Sequence, residues 1–243
     1  MKQNSILNFI ISTCICMFLF NATAMAQNDS IKQATKDSIK IKEKYGLRIG
    51  VELSKLARTA FEEDYEGFEI MGDYRLSKNL YIAGEFGAEN ENTSTDYYDV
   101  TTKGTYFKAG IDYNAYQNWL DMKNMIYSGL RVGASTFSHT LNNYTVYTED
   151  QYWAPQFSSS DSEEFSDLSA LWIELIAGFK VEIATNLYLG ARVELKVLMS
   201  QQEPDNFENL YIPGYYKTYD SVDIGFGYGY SLTYLIPLFK KDK

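Results

Sequence analysis

From Tyr45 onward apolar and polar side chains alternate with a period of two, the mark of strands that present unlike faces to unlike surroundings. Tyr45, Leu47, Ile49, Val51 and Leu53 fall on one face of the first such segment, and Gly46, Arg48, Gly50, Glu52 and Ser54 on the other. The same reading sets Phe68, Ile70, Tyr74 and Leu76 against Glu69, Asp73 and Arg75. It sets Leu80, Ile82 and Phe86 against Ala83, Glu85 and Gly87, and Phe107 to Tyr113 against Lys108 to Asn114. Four further segments follow, around Ile126–Gly133, Leu171–Ile183, Leu187–Val197 and Val222–Ile236, which makes eight predicted strands. No stretch offers an amphipathic helical stripe.

The connections alternate in length. Ser77 to Asn79, Tyr116 to Asn124 and Thr185 to Asn186 are tight, with 3, 9 and 2 residues, while Ala57 to Asp64, Glu91 to Thr101, His139 to Leu168 and Ser200 to Asp220 take 8, 11, 30 and 21. An up-and-down meander has this rhythm when one rim faces a confined compartment and the other faces outside. Strands of about 12 residues also suit a tilted bilayer crossing, which takes about 9–11, and lipid demands a closed sheet because it offers backbone groups no partners. The sequence therefore predicts an all-β fold, an eight-stranded antiparallel up-and-down transmembrane β-barrel over residues 45–239. A soluble lipocalin-like barrel, with the apolar face turned inward, is the rival architecture.

These residues resemble the small eight-stranded outer-membrane barrels of Gram-negative bacteria, of OmpA and OmpX architecture, and are similar to an outer-membrane β-barrel family of unknown function. The resemblance rests on pattern. It implies a cell outer-membrane location, with outer-membrane lipid and lipopolysaccharide as surroundings. The last strand, ending Tyr234-Leu235-Ile236-Pro237-Leu238-Phe239, is similar to the aromatic-terminated strand that the barrel assembly machinery reads, although Lys240–Lys243 follow it.

If the apolar face meets lipid, ionised residues fill the lumen: Arg48, Glu52, Asp73, Glu85, Arg131, Glu174, Lys180, Arg192, Glu194 and Asp223, with Glu69, Arg75, Lys108, Asp112, Glu182 and Lys196. Buried ions persist when paired, so a salt-bridge lattice is expected rather than a wet channel, and eight strands enclose little more than their own side chains. Gly225-Phe226-Gly227-Tyr228-Gly229-Tyr230 superficially resembles a phosphate loop. No helix follows it, and the glycines read as inward positions that admit long neighbours. Tyr45, Tyr74, Tyr113, Tyr116 and Trp119 fit interfacial girdles.

Composition narrows the function. The chain has 243 residues and a formal charge of −10, the wrong sign for counterion-release binding, so nucleic acid is set aside. Residues 1–26 read as a cleaved signal peptide: Lys2, an apolar run from Ile6 to Phe20, then Ala24-Met25-Ala26. Both cysteines, Cys14 and Cys16, lie within it, which removes disulfides and thiolate chemistry from the rest. Residues 27–44 read as a mobile periplasmic tail that repeats Asp-Ser-Ile-Lys, whose first three residues resemble an O-glycan acceptor triplet.

The long connections carry the acidity, with sixteen Asp and Glu against Arg58 and Lys217. Asp161, Glu163, Glu164 and Asp167, joined by Glu149 and Asp150, are candidate oxygen ligands for Ca²⁺ or Mg²⁺, which could bridge the loops to lipopolysaccharide phosphates. Tyr144, Tyr147, Tyr152, Trp153 and Phe157 offer a contact surface to an extracellular protein or glycan. The single histidine, His139, stands beside Ser138, whose side chain points to the opposite face of the strand, so Ser135 or a loop serine would have to serve as nucleophile. The expectation is a structural or adhesive barrel that is not an enzyme, with a lipid-modifying enzyme using His139 or a narrow pore as alternatives.

Overall fold

The computed structural model describes residues 42–116, 123–146, 157–204, 208–218 and 223–242. Eight long strands close into one antiparallel ring: β1 (Lys42–Glu52), β2 (Tyr65–Arg75), β3 (Leu80–Ser94), β4 (Tyr98–Asn114), β5 (Met125–Val146), β7 (Glu163–Ala184), β8 (Leu187–Gln201) and β11 (Ile224–Asp242). The ring is sealed where β1 pairs with β11, from Lys42↔Asp242 to Glu52↔Ser231. Three short strands and a helix add to it: α1 (Leu53–Phe61), β6 (Phe157–Ser159) beside the end of β5, and the pair β9 (Tyr211–Ile212) and β10 (Tyr216–Lys217). The eight-stranded closed barrel is thus present, and no helix among the described residues is long and apolar enough to cross a membrane.

The ladders fix the tilt. From Val51 the pairing runs through Ile70, Phe86, Phe107, Ala134 and Leu171 to Ser200, while the other way around it reaches Leu232 and then Leu189. One circuit thus displaces the register on β8 from Leu189 to Ser200, part of it taken up by the bulge opposite Leu171/Trp172. A stagger of that size requires tilted strands, and a ring of only eight strands keeps the lumen narrow.

Sidedness follows the alternation. Ile126, Leu130 and Val132 are about half exposed on β5, as are Phe107, Ile111 and Tyr113 on β4, while Tyr127, Arg131, Tyr106, Lys108 and Asp112 between them are buried. The outward apolar run on β5 ends at Ala134 and gives way to Thr136 and Ser138; on β4 Phe107 gives way to Thr105 and Lys103. From Ile126 to Ala134 is nine residues, the length a tilted strand needs to cross a hydrocarbon core. A soluble barrel of the lipocalin kind would reverse these faces.

Several expected boundaries move. β1 starts at Lys42, inside the segment read as a tail, and β11 runs past Phe239 to Asp242. Glu91–Thr101 is not a long loop: β3 and β4 pair as far as Ser94↔Asp99 around the turn Thr95–Tyr97. β5 and β7 likewise extend to Val146 and from Glu163, each with 22 residues. Above the apolar band the outer face is polar, so hydrophobic alternation stops while backbone pairing continues. Residues 1–41, including the signal-peptide reading, lie outside the described residues, as do Trp119, Tyr147, Glu149, Asp150, Tyr152, Trp153, Asp205 and Asp220.

The helix α1 is a correction to the sequence reading. Leu53, Leu56, Ala57, Ala60 and Phe61 form a stripe at spacings of three and four, and Leu56 and Phe61 face outward, the latter 87% exposed. Glu52 caps the helix, accepting from the Ser54 N–H at 3.1 Å. At 9 residues the helix is too short to stand alone, and it packs against β2 and β11.

Candidate functional site

Inside the barrel, among the described residues, eight carboxylates and seven cations are buried. Alternation on each strand delivers them to one axis, and the stagger interleaves them. Nearest the tight turns, Arg48 Nε and Lys180 Nζ donate to Asp73 at 2.7 and 2.6 Å. Arg131 meets Asp112 at 2.8 Å and Glu85 at 3.6 Å. At the centre Arg192 reaches Glu85 at 2.9 Å, Glu69 at 2.8 Å, Glu194 at 2.7 Å and Glu52 at 3.8 Å. Lys108 lies between Glu174 and Glu85 at 3.2 and 3.4 Å, and Lys196 between Glu194 and Glu174 at 3.0 and 3.7 Å. The wall also accommodates aromatics: a Cβ on Gly133 would stand 2.3 Å from the Trp172 ring, whose Nε1–H donates to Glu174 at 2.7 Å.

Of the residues expected in this lattice, Arg48, Glu52, Asp73, Glu85, Arg131, Glu174, Lys180, Arg192 and Glu194 are buried within it. Asp223 is not: it is exposed just ahead of β11, and its backbone carbonyl accepts from the Tyr215 hydroxyl at 3.1 Å. The last strand begins at Ile224, two residues later than its alternation suggests, so Asp223 stands ahead of the ladder and outside the lattice. Glu182 is half-buried at the tight-turn end, accepting from the Asn186 N–H at 2.9 Å. Tyr45, expected in a girdle, is buried, because the bulge between Tyr45 and Gly46 turns it inward against Phe239 at 5.5 Å.

Two buried ions escaped the sequence reading. Lys55, from α1, pairs with Glu89 and lies 3.7 Å from Glu69. Glu89, just beyond Gly87, the last residue given a face on the third strand, also accepts from the hydroxyls of Tyr65 and Tyr211, both at 2.9 Å, and from the Gly214 N–H at 2.7 Å. These bonds draw the β9–β10 turn into the mouth of the barrel. Gly214 sits at φ +82° with the Tyr106 ring 2.5 Å from where a Cβ would be, so the turn admits no side chain there. Tyr211, Ile212 and Tyr215 are buried, which burial of the Tyr215 phenol reflects by raising its pKa to about 12. The segment read as one long exposed acidic loop is in part a stopper.

The acidic metal candidates stay apart. Asp161, Glu163, Glu164 and Asp167 are all exposed, with Glu163 and Glu164 successive on β7 opposite Leu141 and Thr140, hence on opposite faces. Asp167 is at a bulge with φ 60°. Among the described residues the carboxylates within ligand reach of one another are instead Glu85, Glu174 and Glu194, within 4.8 Å. Lys108, Arg192 and Lys196 already fill the space between those three. Tyr144 is half-buried at the tip of β5, with Phe157 6.2 Å away and 60% exposed.

His139 is no rim residue; it is fully buried between Thr102 Oγ1 at 2.7 Å and Asn209 Oδ1 at 3.0 Å. Asn209 donates its amide to Gln201 Oε1 and to the Gln202 carbonyl, so its Oδ1 is an acceptor for the His139 Nε2–H, which leaves Nδ1 to accept from Thr102. Burial holds the imidazole below its ordinary pKa, neutral at pH 7.

The fold and its lumen define a class: a closed transmembrane barrel whose interior is filled by paired charge and whose outer mouth is stoppered. The chain belongs to the family described as Domain of unknown function (DUF6048), whose model matches residues 6–241. No curated protein matches it. Among solved structures it is similar to Ail, the attachment invasion locus protein of Yersinia pestis, with 11% identity, a TM-score of 0.40, and coverage of 80% of this chain and 99% of that one.

Proposed function

We propose that this protein is an outer-membrane barrel with a closed lumen that works as a rigid extracellular binding platform, adhesive or structural, through the distal ends of β3–β7. The observation that carries the reading is the length of β5. Twelve residues separate Ala134, where the apolar band stops, from Val146 at its tip. At about 3.3 Å per residue and a tilt of about 40° that wall rises roughly 30 Å above the lipid. At its summit Tyr97, Val146 and Phe157 are exposed apolar side chains in a polar surround, as a contact surface for a protein or glycan requires.

The packed lumen speaks against a pore, and planar-bilayer recordings on the purified barrel are expected to show no discrete conductance. Replacing Tyr144–Phe157 with a short turn should abolish binding to cells or glycan arrays while leaving the barrel folded; retained binding would refute the platform. The lipid-modifying alternative has one favourable observation, the Thr102–His139–Asn209 chain, which has the spacing of nucleophile, base and orienting amide. All three are at least 96% buried, closed to any substrate. A His139→Ala protein that lost a measured acyltransferase or lipase activity would restore that alternative.

A further inference from the structure

Toward its outer end the ring of strands is interrupted. Where β1 stops at Glu52, α1 fills the gap, and side chains replace the missing ladder: Glu52 Oε1 accepts from the Tyr230 N–H at 2.7 Å, and Thr59 Oγ1 accepts from the Gly67 N–H at 2.7 Å. Where β8 stops, nothing among the described residues does the same. β8 pairs with β7 only as far as Gln201↔Ala170. The Gln202 N–H then donates to the Ser169 carbonyl at 2.8 Å, and the chain beyond turns onto the buried Asn209. Past that point β7 and then β6 run on along β5, through Leu141↔Glu163 and Tyr144↔Ser159 to Val146↔Phe157. β6 ends the order of the sheet, with β5 its one strand neighbour among the described residues. A terminal strand presents N–H and C=O groups that a further strand can pair.

This edge is acidic as well as open. No Lys or Arg occurs between Arg131 and Lys180, a stretch that contains Glu149, Asp150, Asp161, Glu163, Glu164, Asp167 and Glu174. Asp161, Glu163, Glu164 and Asp167 are exposed. Glu163 and Glu164 point to opposite faces of the sheet, so a strand laid beside them meets a carboxylate on either face. Those charges repel a second copy of the same edge and favour a strand of opposite sign. At the tip Val146 and Phe157, 46% and 60% exposed, offer the same strand an apolar contact.

We propose that this edge takes up a lysine- or arginine-rich extended segment of an extracellular partner as an additional strand. Backbone hydrogen bonds hold the segment, and its basic side chains answer the acids on both faces. The proposal rests on the platform reading, whose summit it narrows to one edge and one kind of partner.

The test places the full-chain barrel in phosphatidylcholine nanodiscs, which carry no net charge, and follows short synthetic peptides by fluorescence anisotropy. A peptide of alternating lysine and valine should bind, more weakly as salt is raised, and one of alternating glutamate and valine should not. The lysine peptide methylated at every backbone nitrogen keeps its charge but loses its donors, and should bind at least about tenfold more weakly. Glu163→Lys with Glu164→Lys should weaken the lysine peptide about tenfold and admit the glutamate peptide; both positions are exposed, and heat-modifiable gel mobility confirms that the variant is folded. Equal binding of the methylated peptide, indifference to the double reversal, or self-association of the barrel through these residues would overturn strand addition. An intact barrel that binds cells but not the lysine peptide overturns the edge alone; one that binds neither overturns the platform with it.

Discussion

The lower and upper halves of this barrel obey different rules. Below the midplane every strand has two strand neighbours, and the lumenal ions meet counterions on the next strand or across the bore, as Asp73 meets Arg48 beside it and Lys180 opposite. Above it the wall is completed by a helix, and the lumen by a turn that descends from the β8–β11 connection onto Glu89. The difference shows that closure in lipid is a condition on backbone groups, not on strands. Where β1 runs out, a carboxylate and a hydroxyl serve as well, provided they reach the orphaned N–H groups.

The two halves separate under mutation. Arg192→Met is expected to cost most: it leaves Glu69, Glu85 and Glu194 short of a partner in the bore, a loss of about 3–5 kcal/mol. Urea titration of the vesicle-reconstituted barrel, read by gel mobility, checks this. Its neighbour on β8 tests the other face. Val193 is 60% exposed in the apolar band, and Val193→Arg should cost about 2–4 kcal/mol in lipid, whereas Thr136→Arg, above the band on β5, should be nearly neutral.

Lys55→Met probes the upper half. Glu89 keeps its bonds from Tyr65, Tyr211 and Gly214, so the loss should be smaller than for Arg192, and confined to α1 and the β9–β10 turn. Hydrogen exchange should rise there and stay unchanged in β4 and β5; a global loss of protection would show that the two halves are not separable.

The smallest effect concerns pH. His139 has a folded-state pKa below its ordinary value, so the folded barrel binds fewer protons there than the unfolded chain. That contribution is fully present above about pH 6.5, the ordinary imidazole value, and is lost as the pH falls below it. The urea midpoint should therefore drop between pH 7.5 and 5.5, and drop less in His139→Gln.

The same division explains what was legible in the sequence. In the lower half one face meets lipid and the other meets ions, so period two announced the strands and placed Arg48, Asp73, Arg131 and Arg192 in the bore. Above the band both sides of the wall are polar or packed by loops, and the signal vanishes: β3 pairs on through Asn92 and Thr93 with no alternation to reveal it. Lys55 and Glu89 were missed for that reason, although the stripe Leu53, Leu56, Ala57, Ala60, Phe61 could have revealed α1. The Gly214 turn left no local signal, because its position depends on an acid 125 residues away. Asp161, Glu163, Glu164 and Asp167 looked like a cluster only because they are close along a chain that is in fact extended.

The central claim is that greasy positions face acyl chains while charges meet inside the bore. A chain from Gln27 onward has no cysteine, so a nitroxide can be placed on β5 at Leu130→Cys and, separately, at Thr136→Cys in reconstituted vesicles. The label at 130 should relax strongly with oxygen and weakly with a water-soluble nickel chelate, and the label at 136 should do the reverse. A label at 130 that the nickel chelate reaches as readily as one at 136 would contradict the account.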